Sequence, residues 1–268
     1  MRISLPQRFS RAAATYETAA RLPRATAKRL MTLVTPRLHT PPRVALDVGC
    51  GTGFLADEIA QRWPRAVCMA LDPAEAMTRE ALRLRPWVLP VVGDGAVLPV
   101  RPASVDVVLS NLVLHWLNEP EKAVAQWRTC LTPGGLLAVA LLVAGSFREW
   151  AETCERAGVS DSLWPTPSLA TFASFDEKSV KGASRVLEDR IVVYPSARTF
   201  LASLRDIGAD SPRPGQPPLH AGVLRRILRV APRPFPVTHR VLYLVLPAEG
   251  ETVQNQSILL DRPFRKTL

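Results

Sequence analysis

The chain has 268 residues, 47% of them hydrophobic, so it can bury a sizeable core and is not a disordered chain. Its formal net charge is +10, and its four cysteines form no C-x-x-C pair, which argues against a zinc site or a disulfide framework and predicts no metal. The longest apolar run, Leu136 to Ala144, is too short to cross a membrane, and no apolar leader is visible, so we expect a soluble, cytoplasmic protein.

The first segment is basic and predicted to be helical. Residues 3–35 are rich in Ala and Leu, and Pro23 is the only helix breaker in the interior of this stretch. Residues 1–43 contain nine Lys and Arg but a single acid, Glu17. Such a segment can attract an acidic partner such as nucleic acid, can be a merely solvated surface, or can be a mitochondrial transit peptide.

Residues 44–145 alternate between short apolar runs and amphipathic stretches. The predicted strands cover 44–48, 66–71, 88–92, 105–110 and 136–143, and the predicted helices cover 54–62, 73–84 and 119–131. Strands that are apolar throughout are covered on both faces, which is typical of a parallel sheet. The pattern therefore predicts a doubly wound, Rossmann-like α/β fold.

The remainder of the chain is less regular. We expect a helix over 146–157 capped by Ser146, a loop over 161–175, a strand over 185–194, a helix over 196–207, a proline-rich linker over 211–218, a basic helix over 219–230 and a closing strand over 237–246. Residues 211–240 contain six Arg and no acid, so the second half also has a basic region.

A glycine-rich loop follows the first predicted strand and opens the next helix. It contains Asp47, Gly49, Cys50, Gly51 and Gly53. Glycines allow the backbone to turn tightly and to approach a ligand, but their spacing departs from the G-x-G-x-x-G dinucleotide pattern. S-adenosylmethionine has no phosphate and has a cationic amino-acid end, which suits Asp47. The alternative is a structural turn.

Two further acids follow predicted strands. Asp72, which precedes Pro73, lies 19 residues after Gly53 and can accept hydrogen bonds from two ribose hydroxyls. Asp94, which precedes Gly95, is placed to bind an adenine amino group. Each is also an ordinary turn residue. Since ligands of open α/β sheets bind at the carboxyl ends of strands, all three acids are candidate cofactor residues.

The end of the fourth predicted strand supplies the remaining candidates. Ser110 and Asn111 are expected beside the sulfonium of the cofactor. His115 and Trp116 are expected to begin the wall of the substrate pocket. His115 can be a general base, although a lone histidine is more often a hydrogen-bonded wall residue.

The glycine loop, the acids and the L-T-P-G-G run at 131–135 together resemble class I methyltransferases. Other segments resemble the malonyl-[acyl-carrier protein] O-methyltransferases of biotin synthesis: F-S-R-A-A-A-T-Y at 9–16, S-N-L at 110–112 with Trp116, L-V-A-G-S-F-R-E at 142–149, L-R-D-I-G-A at 204–209 and P-V-T-H at 236–239. The family commonly has Gln where this chain has His115. A sister group, the arginine hydroxylases of mitochondrial complex I assembly, shares the His-Trp pair and Tyr194-Pro195 but lacks the 11–16 start and the 204–209 element.

The resemblance implies O-methylation of the free carboxylate of malonyl-acyl carrier protein, with S-adenosylmethionine as cofactor. It implies Arg205 as the residue that holds this carboxylate, Tyr16 as a lid residue that donates its hydroxyl, and Trp116 as wall. The acidic carrier protein is expected to dock on segments 1–43 and 219–230, with neither nucleic acid nor a membrane as partner.

The corresponding division of the chain is a helical lid (1–43), a cofactor core (44–145), a substrate-side insertion with closing strands (146–247) and a tail (248–268). Three alternatives remain at this stage. They are another small-molecule or hydroxylase-like enzyme on the same scaffold, a non-catalytic assembly factor that binds the cofactor, and a nucleic-acid methyltransferase. The last lacks an Asn/Asp-Pro-Pro-aromatic motif.

Overall fold

The computed structural model describes residues 3–212 and 219–248. The α-helices of these ranges are α1 (Leu5–Ala19), α2 (Arg21–Val34), α3 (Phe54–Arg62), α4 (Glu75–Leu84), α5 (Pro120–Thr129), α6 (Arg148–Arg156), α7 (Ala197–Asp206) and α8 (Ala221–Val230). The strands are β1 (Val44–Val48), β2 (Val67–Asp72), β3 (Leu89–Val92), β4 (Val105–Asn111), β5 (Leu131–Leu142), β6 (Ser184–Tyr194) and β7 (Phe235–Pro247). Short 3₁₀ helices span Thr35–Arg37, Leu114–Trp116 and Leu169–Phe175.

All seven strands form one sheet in the order β3-β2-β1-β4-β5-β7-β6. Strands β1 to β5 are parallel, whereas β7 runs antiparallel to both β5 and β6. The doubly wound, Rossmann-like prediction is confirmed. The strand order reverses between β1 and β4, and open α/β sheets bind ligands at the carboxyl ends of the strands at such a switch point.

Apolar layers cover both faces of the sheet. One face packs against α2 and α3 through buried residues such as Leu30 and Leu55. The other packs against α5 through Trp127, whose ring is fully buried. A third cluster joins α6, α7, α8 and β7 around Phe200 and Ile227. The helices after β5 therefore have their own small core beside the sheet.

The basic N-terminal segment forms two helices rather than one. The helical path breaks at Ala20, which has φ −81° and ψ 58° and is almost completely buried. Pro23 lies just after the break, in the first turn of α2, where a missing N–H removes no intrahelical hydrogen bond. Proline therefore marks the start of the second helix and does not interrupt a single long one.

Other boundaries also differ from the predictions. Strand β5 begins at Leu131, not at residue 136, because Leu131 pairs with Val105 before an irregularity in the ladder. Ser146 does not cap α6, and that prediction is wrong: Phe147 occupies the cap position, while the Ser146 hydroxyl donates to the Arg240 carbonyl. The predicted loop over 161–175 contains the 3₁₀ helix named above.

Most of the predicted proline-rich linker (213–218) and of the tail (249–268) lies outside the described residues. In the ranges that the structure covers, no helix has the length and apolar character needed to span a membrane.

Candidate active site

The glycine loop connects β1 to α3 at the switch point of the sheet. The backbone N–H groups of Gly49 and Cys50 both donate to the carbonyl of Leu71, at 2.7 and 2.9 Å, which ties the loop to the end of β2. Gly49 has φ +72°, and a Cβ there would lie 2.2 Å from Cγ2 of Val113. Only glycine fits at this turn, so the backbone itself forms the surface of the loop.

Two carboxylates lie beside this loop. Asp47 is 1% exposed, and neither of its side-chain oxygens has a hydrogen-bond partner among the described residues. Burial, together with the charge of Asp72, raises the pKa of Asp47 to about 8. Asp72 accepts hydrogen bonds from the N–H groups of Gly51 (3.0 Å) and Ala74 (2.8 Å), yet burial raises its pKa to about 6. Since a buried carboxylate needs a cation or a proton, this pair suits a cationic ligand.

A cavity of about 590 Å³ opens over the loop. The predicted cofactor residues that line it are Gly49, Gly51, Asp72, Pro73, Asp94, Gly95 and Asn111. Asp94 is exposed, and its side chain accepts a hydrogen bond from the N–H of Ala96 at 2.8 Å, so it shapes a turn at the rim. The ends of four neighbouring strands thus contribute to one cavity.

The other predicted cofactor residues, Asp47, Cys50, Gly53 and Ser110, do not line this cavity. The Ser110 hydroxyl donates to the Val48 carbonyl at 2.8 Å and so joins β4 to β1. Cys50 is buried, and burial raises the pKa of its thiol well above the usual value. A Cβ at Gly53 would lie 2.7 Å from Cδ of Arg85. Cys50, Gly53 and Ser110 therefore support the loop from behind, whereas the carboxylate of Asp47 is buried beside it without a partner among the described residues.

Tyr16, on α1, lies over the glycine loop. A Cβ at Gly51 would be 3.4 Å from the Tyr16 ring, and the ring stacks on Phe54 with centroids 5.9 Å apart. Burial raises the pKa of Tyr16, and the nearby carboxylates of Asp72 and Asp47 raise it further. The phenol therefore keeps its proton and is available as a hydrogen-bond donor.

One buried arginine fastens α1 to the same loop. Arg85, at the end of α4, is 4% exposed on its side chain and forms ion pairs with Glu17 of α1 and Asp57 of α3. It also donates to the Thr52 carbonyl at 2.7 Å. Glu17 accepts in addition from the Thr52 hydroxyl at 2.7 Å. Nothing in the local sequence around Arg85 indicates this role, because its partners come from three separate elements.

A second cavity, of about 420 Å³, lies between the N-terminal helices and the β6–α7 region, and most of its lining is aromatic or aliphatic. The side chains that line both cavities are Phe9, Tyr16, Leu112 and Trp116. Trp116 packs against Phe9 and Trp164, with ring centroids 5.8 and 5.3 Å apart. The two cavities therefore share one wall, and the predicted wall position of Trp116 coincides with it.

The polar residues of the second cavity match the predictions only in part. His115 lines it and is 6% exposed, and burial lowers its pKa to about 3, so the imidazole is neutral. Arg205 is exposed in the last turn of α7 and does not line either cavity. Among the described residues, Arg21 is the only Lys or Arg of the lining. The sequence marks Arg21 only as one of many basic residues.

Comparisons with known proteins agree with this geometry. A family model described as a methyltransferase domain matches residues 46–139. The chain is 35% identical over 209 residues to a malonyl-[acyl-carrier protein] O-methyltransferase of Xylella fastidiosa, covering 76% of this chain and 70% of that protein. It is 30% identical over 253 residues to a protein of the same name from Geobacter sulfurreducens, covering 88% and 94%. The chain belongs to the malonyl-[acyl-carrier protein] O-methyltransferase family.

This family member also resembles a Bordetella avium biotin biosynthesis bifunctional protein, BioCD, at 33% identity over 84% of this chain and 48% of that protein. Among solved structures, it is similar to the YcgJ protein of Bacillus subtilis, with a TM-score of 0.58 and 15% identity over 82% of this chain and 98% of that one. A plantazolicin methyltransferase solved with S-adenosylhomocysteine gives a TM-score of 0.52 at 15% identity, over 88% and 89% of the two chains. The solved structures show a shared fold.

This methyltransferase uses S-adenosylmethionine. The geometry of the first cavity fits this cofactor. Backbone of the glycine loop lines the floor of the cavity, and the unpartnered carboxylate of Asp47 lies directly before this loop. Within residues 3–212 and 219–248, no group of three or more His, Cys, Asp or Glu side chains is arranged to hold a metal ion.

Proposed function

We propose that this protein methylates the free carboxylate of malonyl-acyl carrier protein, an early step in biotin synthesis. The observation that carries the proposal is the wall of Phe9, Tyr16, Leu112 and Trp116 between the two cavities. A cofactor in the first cavity and an acyl group in the second would meet across these side chains. The identity of the acyl group as malonyl is taken from the names of the relatives.

When bound, the cofactor supplies an electrophilic methyl group on a sulfonium, and its transfer to a carboxylate oxygen leaves a thioether and an uncharged ester without moving a proton. A malonyl carboxylate is ionised near neutral pH, so the chain needs no general base. This agrees with His115, because burial lowers its pKa to about 3 and so makes the imidazole a weak base. His115 can instead serve as a wall residue that donates or accepts one hydrogen bond.

The chain's main contribution is alignment in a dry cavity. Tyr16 keeps its phenolic proton and can donate it in a hydrogen bond to the substrate, while Trp116 and its aromatic neighbours exclude water. Holding two reactants in an aligned geometry can supply roughly 7–11 kcal/mol. Because the opposite charges of carboxylate and sulfonium disappear as the ester forms, a water-free site favours the transition state over the ground state.

The basic surfaces give the acidic carrier protein places to dock. On α8, Arg225, Arg226 and Arg229 are exposed, and the helix is anchored by the buried Ile227. This helix packs in the same apolar cluster as Leu204 of α7, which lines the second cavity. Segments 1–43 and 219–230 are therefore our proposed docking surfaces, and the cytoplasmic location expected from the sequence stays a prediction.

The test is a methyl-transfer assay on the full chain with labelled S-adenosylmethionine and malonyl-acyl carrier protein. We expect a base-labile methyl ester on the acyl group. Acetyl-acyl carrier protein, which has no free carboxylate, is the matched control and should remain unlabelled. Cofactor binding without ester formation would contradict the proposal and favour another acceptor on the same scaffold.

A further inference from the structure

The first turn of α2 faces the second cavity and has no cap. Residues 18–23 all line this cavity, and they span the end of α1, the break at Ala20 and the start of α2. No side chain caps α2, and its first turn contains no acidic residue. The first N–H groups of a helix have no intrahelical acceptor and carry a partial positive charge, which favours an anion at this end; because Pro23 has no N–H, Arg21 and Leu22 supply these donors in α2.

Arg21, the first residue of α2, adds a full positive charge at the same place. It is exposed, and no ion pair joins it to a carboxylate within the described ranges. Asp206 is the one Asp or Glu of the lining among the described residues, and no ion pair is seen there between it and Arg21. A guanidinium can hold one carboxylate oxygen with a charge-assisted hydrogen bond and leave the other oxygen free to react.

One ring nitrogen of a buried histidine in the same cavity has no hydrogen-bond partner in the part of the chain that the structure describes. His115 lines the cavity at 6% exposure, and its Nδ1 has no hydrogen-bond partner among the described residues. An unpaired polar group in such a position costs free energy until a ligand satisfies it. Because burial keeps the ring neutral, it can offer a hydrogen bond to an anion but no charge.

One hydrogen bond links the start of α2 to the cofactor cavity. The side-chain amide of Asn111, at the end of β4, donates to the carbonyl of Pro23 at 2.8 Å. Asn111 lines the cofactor cavity, whereas Pro23 lines the second cavity. The uncapped start of α2 is therefore held next to the wall across which the acyl group and the cofactor would meet.

We propose that the start of α2, with Arg21 and the buried His115, receives the free carboxylate of the acyl substrate, and that Arg21 selects an anionic acyl thioester over a neutral one. The inference rests on the proposed carboxyl methylation and deepens it. It replaces Arg205, the arginine indicated by the sequence, which does not line the cavity. In this arrangement Arg21 and the helix end hold one carboxylate oxygen, and the other is free to accept the methyl group.

The test measures binding without turnover. The full chain, saturated with S-adenosylhomocysteine, is titrated with malonyl-acyl carrier protein and with acetyl-acyl carrier protein. The wild type should bind the malonyl form more tightly. Arg21→Gln should weaken malonyl binding about 10- to 100-fold, as expected for loss of a charge-assisted hydrogen bond, and should leave acetyl binding unchanged. Arg21→Lys should retain part of the preference. Arg198→Gln, an exposed arginine of α7 outside both cavities, is the matched control and should behave as wild type.

The outcomes separate this inference from the proposed function. If the wild type neither prefers nor methylates the malonyl form, the proposed function is wrong. If the wild type does both, and Arg21→Gln keeps the preference within twofold while its affinity for S-adenosylhomocysteine is normal, the inference about Arg21 is overturned. A loss of preference in Arg205→Gln but not in Arg21→Gln would likewise overturn it and restore the residue indicated by the sequence.

Discussion

The two cavities meet at one wall but are built from different parts of the chain. The predicted cofactor residues that line the cofactor cavity follow four strands, each within a few residues of a strand end, and residues of α1 and α5 complete its wall. The second cavity collects side chains from α1, α2, the region after β4, β6 and α7, up to about 200 residues apart in the sequence. The first uses local geometry that a sheet supplies automatically, whereas the second depends on how helices pack across the sheet. The residues that would bind the cofactor therefore lie close to strand ends in the sequence, whereas the residues that would bind the acceptor are far apart in the sequence.

Replacing Asp47 by Asn is expected to have the largest effect of the substitutions considered. It should weaken ligand binding without lowering the stability of the ligand-free protein. The variant keeps the shape of a side chain that is 1% exposed and has no partner, but it removes the charge that would face the cationic end of the cofactor. We expect the affinity for S-adenosylhomocysteine to fall by about 10- to 100-fold, while the ligand-free protein melts at the same temperature or higher. Calorimetric titration and thermal melts check both.

The matched control for this prediction is Asp106→Asn. Asp106 accepts hydrogen bonds from the N–H groups of Arg43 (2.7 Å) and Val44 (3.0 Å) at the opposite end of the strands. This variant should lose stability and keep its cofactor affinity. If Asp47→Asn also loses stability and keeps its cofactor affinity, Asp47 has a structural role only.

Cofactor binding should depend on pH over the range set by the two buried acids. Burial raises the pKa of Asp47 to about 8 and that of Asp72 to about 6, so both bind protons in the folded, ligand-free state more tightly than in the unfolded chain. Their contribution to stability is present below about pH 4 and is lost as the pH rises through 6 to 8. A cationic ligand needs the ionised form, so its affinity should rise by up to about tenfold per unit over this range.

The measurement is the shift in melting temperature caused by S-adenosylhomocysteine between pH 5.5 and 8.5. The shift should grow with pH in the wild type and should be flatter in Asp47→Asn. A profile that does not change with pH in the wild type would show that these carboxylates do not contact the charged end of the ligand.

Gly208→Ala should disturb the second cavity more than the first. Gly208 follows α7 with φ +74°, and a Cβ there would lie 2.9 Å from Cα of Phe9 on α1. The new methyl group should push α1 away from α7, at a cost of about 1–3 kcal/mol, and raise the KM for the acyl substrate severalfold. Cofactor affinity should change less, because Arg85 still joins α1 to the glycine loop.

Gly158→Ala is the control for backbone strain. Gly158 has φ +63°, but a Cβ there would meet nothing within 4 Å. It should lose some stability and keep its KM. Equal effects on KM in the two variants would mean that strain, and not displacement of α1, explains the result.

Charge reversal on α8 is expected to have the smallest effect. Changing Arg225, Arg226 and Arg229 to Glu should raise the KM for malonyl-acyl carrier protein by a few fold at low salt, since surface charge mainly steers association. Malonyl-coenzyme A, which has no protein surface to dock, is the control substrate and should be affected less. Equal changes with both substrates would contradict docking on this helix.

The cofactor half could be predicted from the sequence because its signals are local. The glycines, the strand-end acids and Asn111 lie next to apolar runs, and parallel strands bring such ends together. Local reasoning did not show which of these residues line the cavity. Ser110 bonds to Val48 instead, and Gly53 packs on Arg85.

The substrate half was harder to predict because its residues meet only through tertiary packing. Arg205 and Arg21 are indistinguishable as exposed helical arginines, and only the break at Ala20 turns the start of α2 toward the cavity. The same limit applies to Arg85, which looks like a surface residue at the end of α4 yet is nearly buried between two carboxylates. Hydrophobic periodicity predicts where each helix or strand lies in the sequence, but it does not predict which other element it packs against.

The shared wall also sets where the enzyme can be re-engineered. A substitution at Tyr16 or Trp116 touches both cavities at once, so a change of acceptor made there would alter cofactor binding as well. Val192, Thr199 and Ser203 line only the second cavity. A library of substitutions confined to these three positions could change the length of acyl chain that the enzyme accepts while the methyl-donor site is left intact.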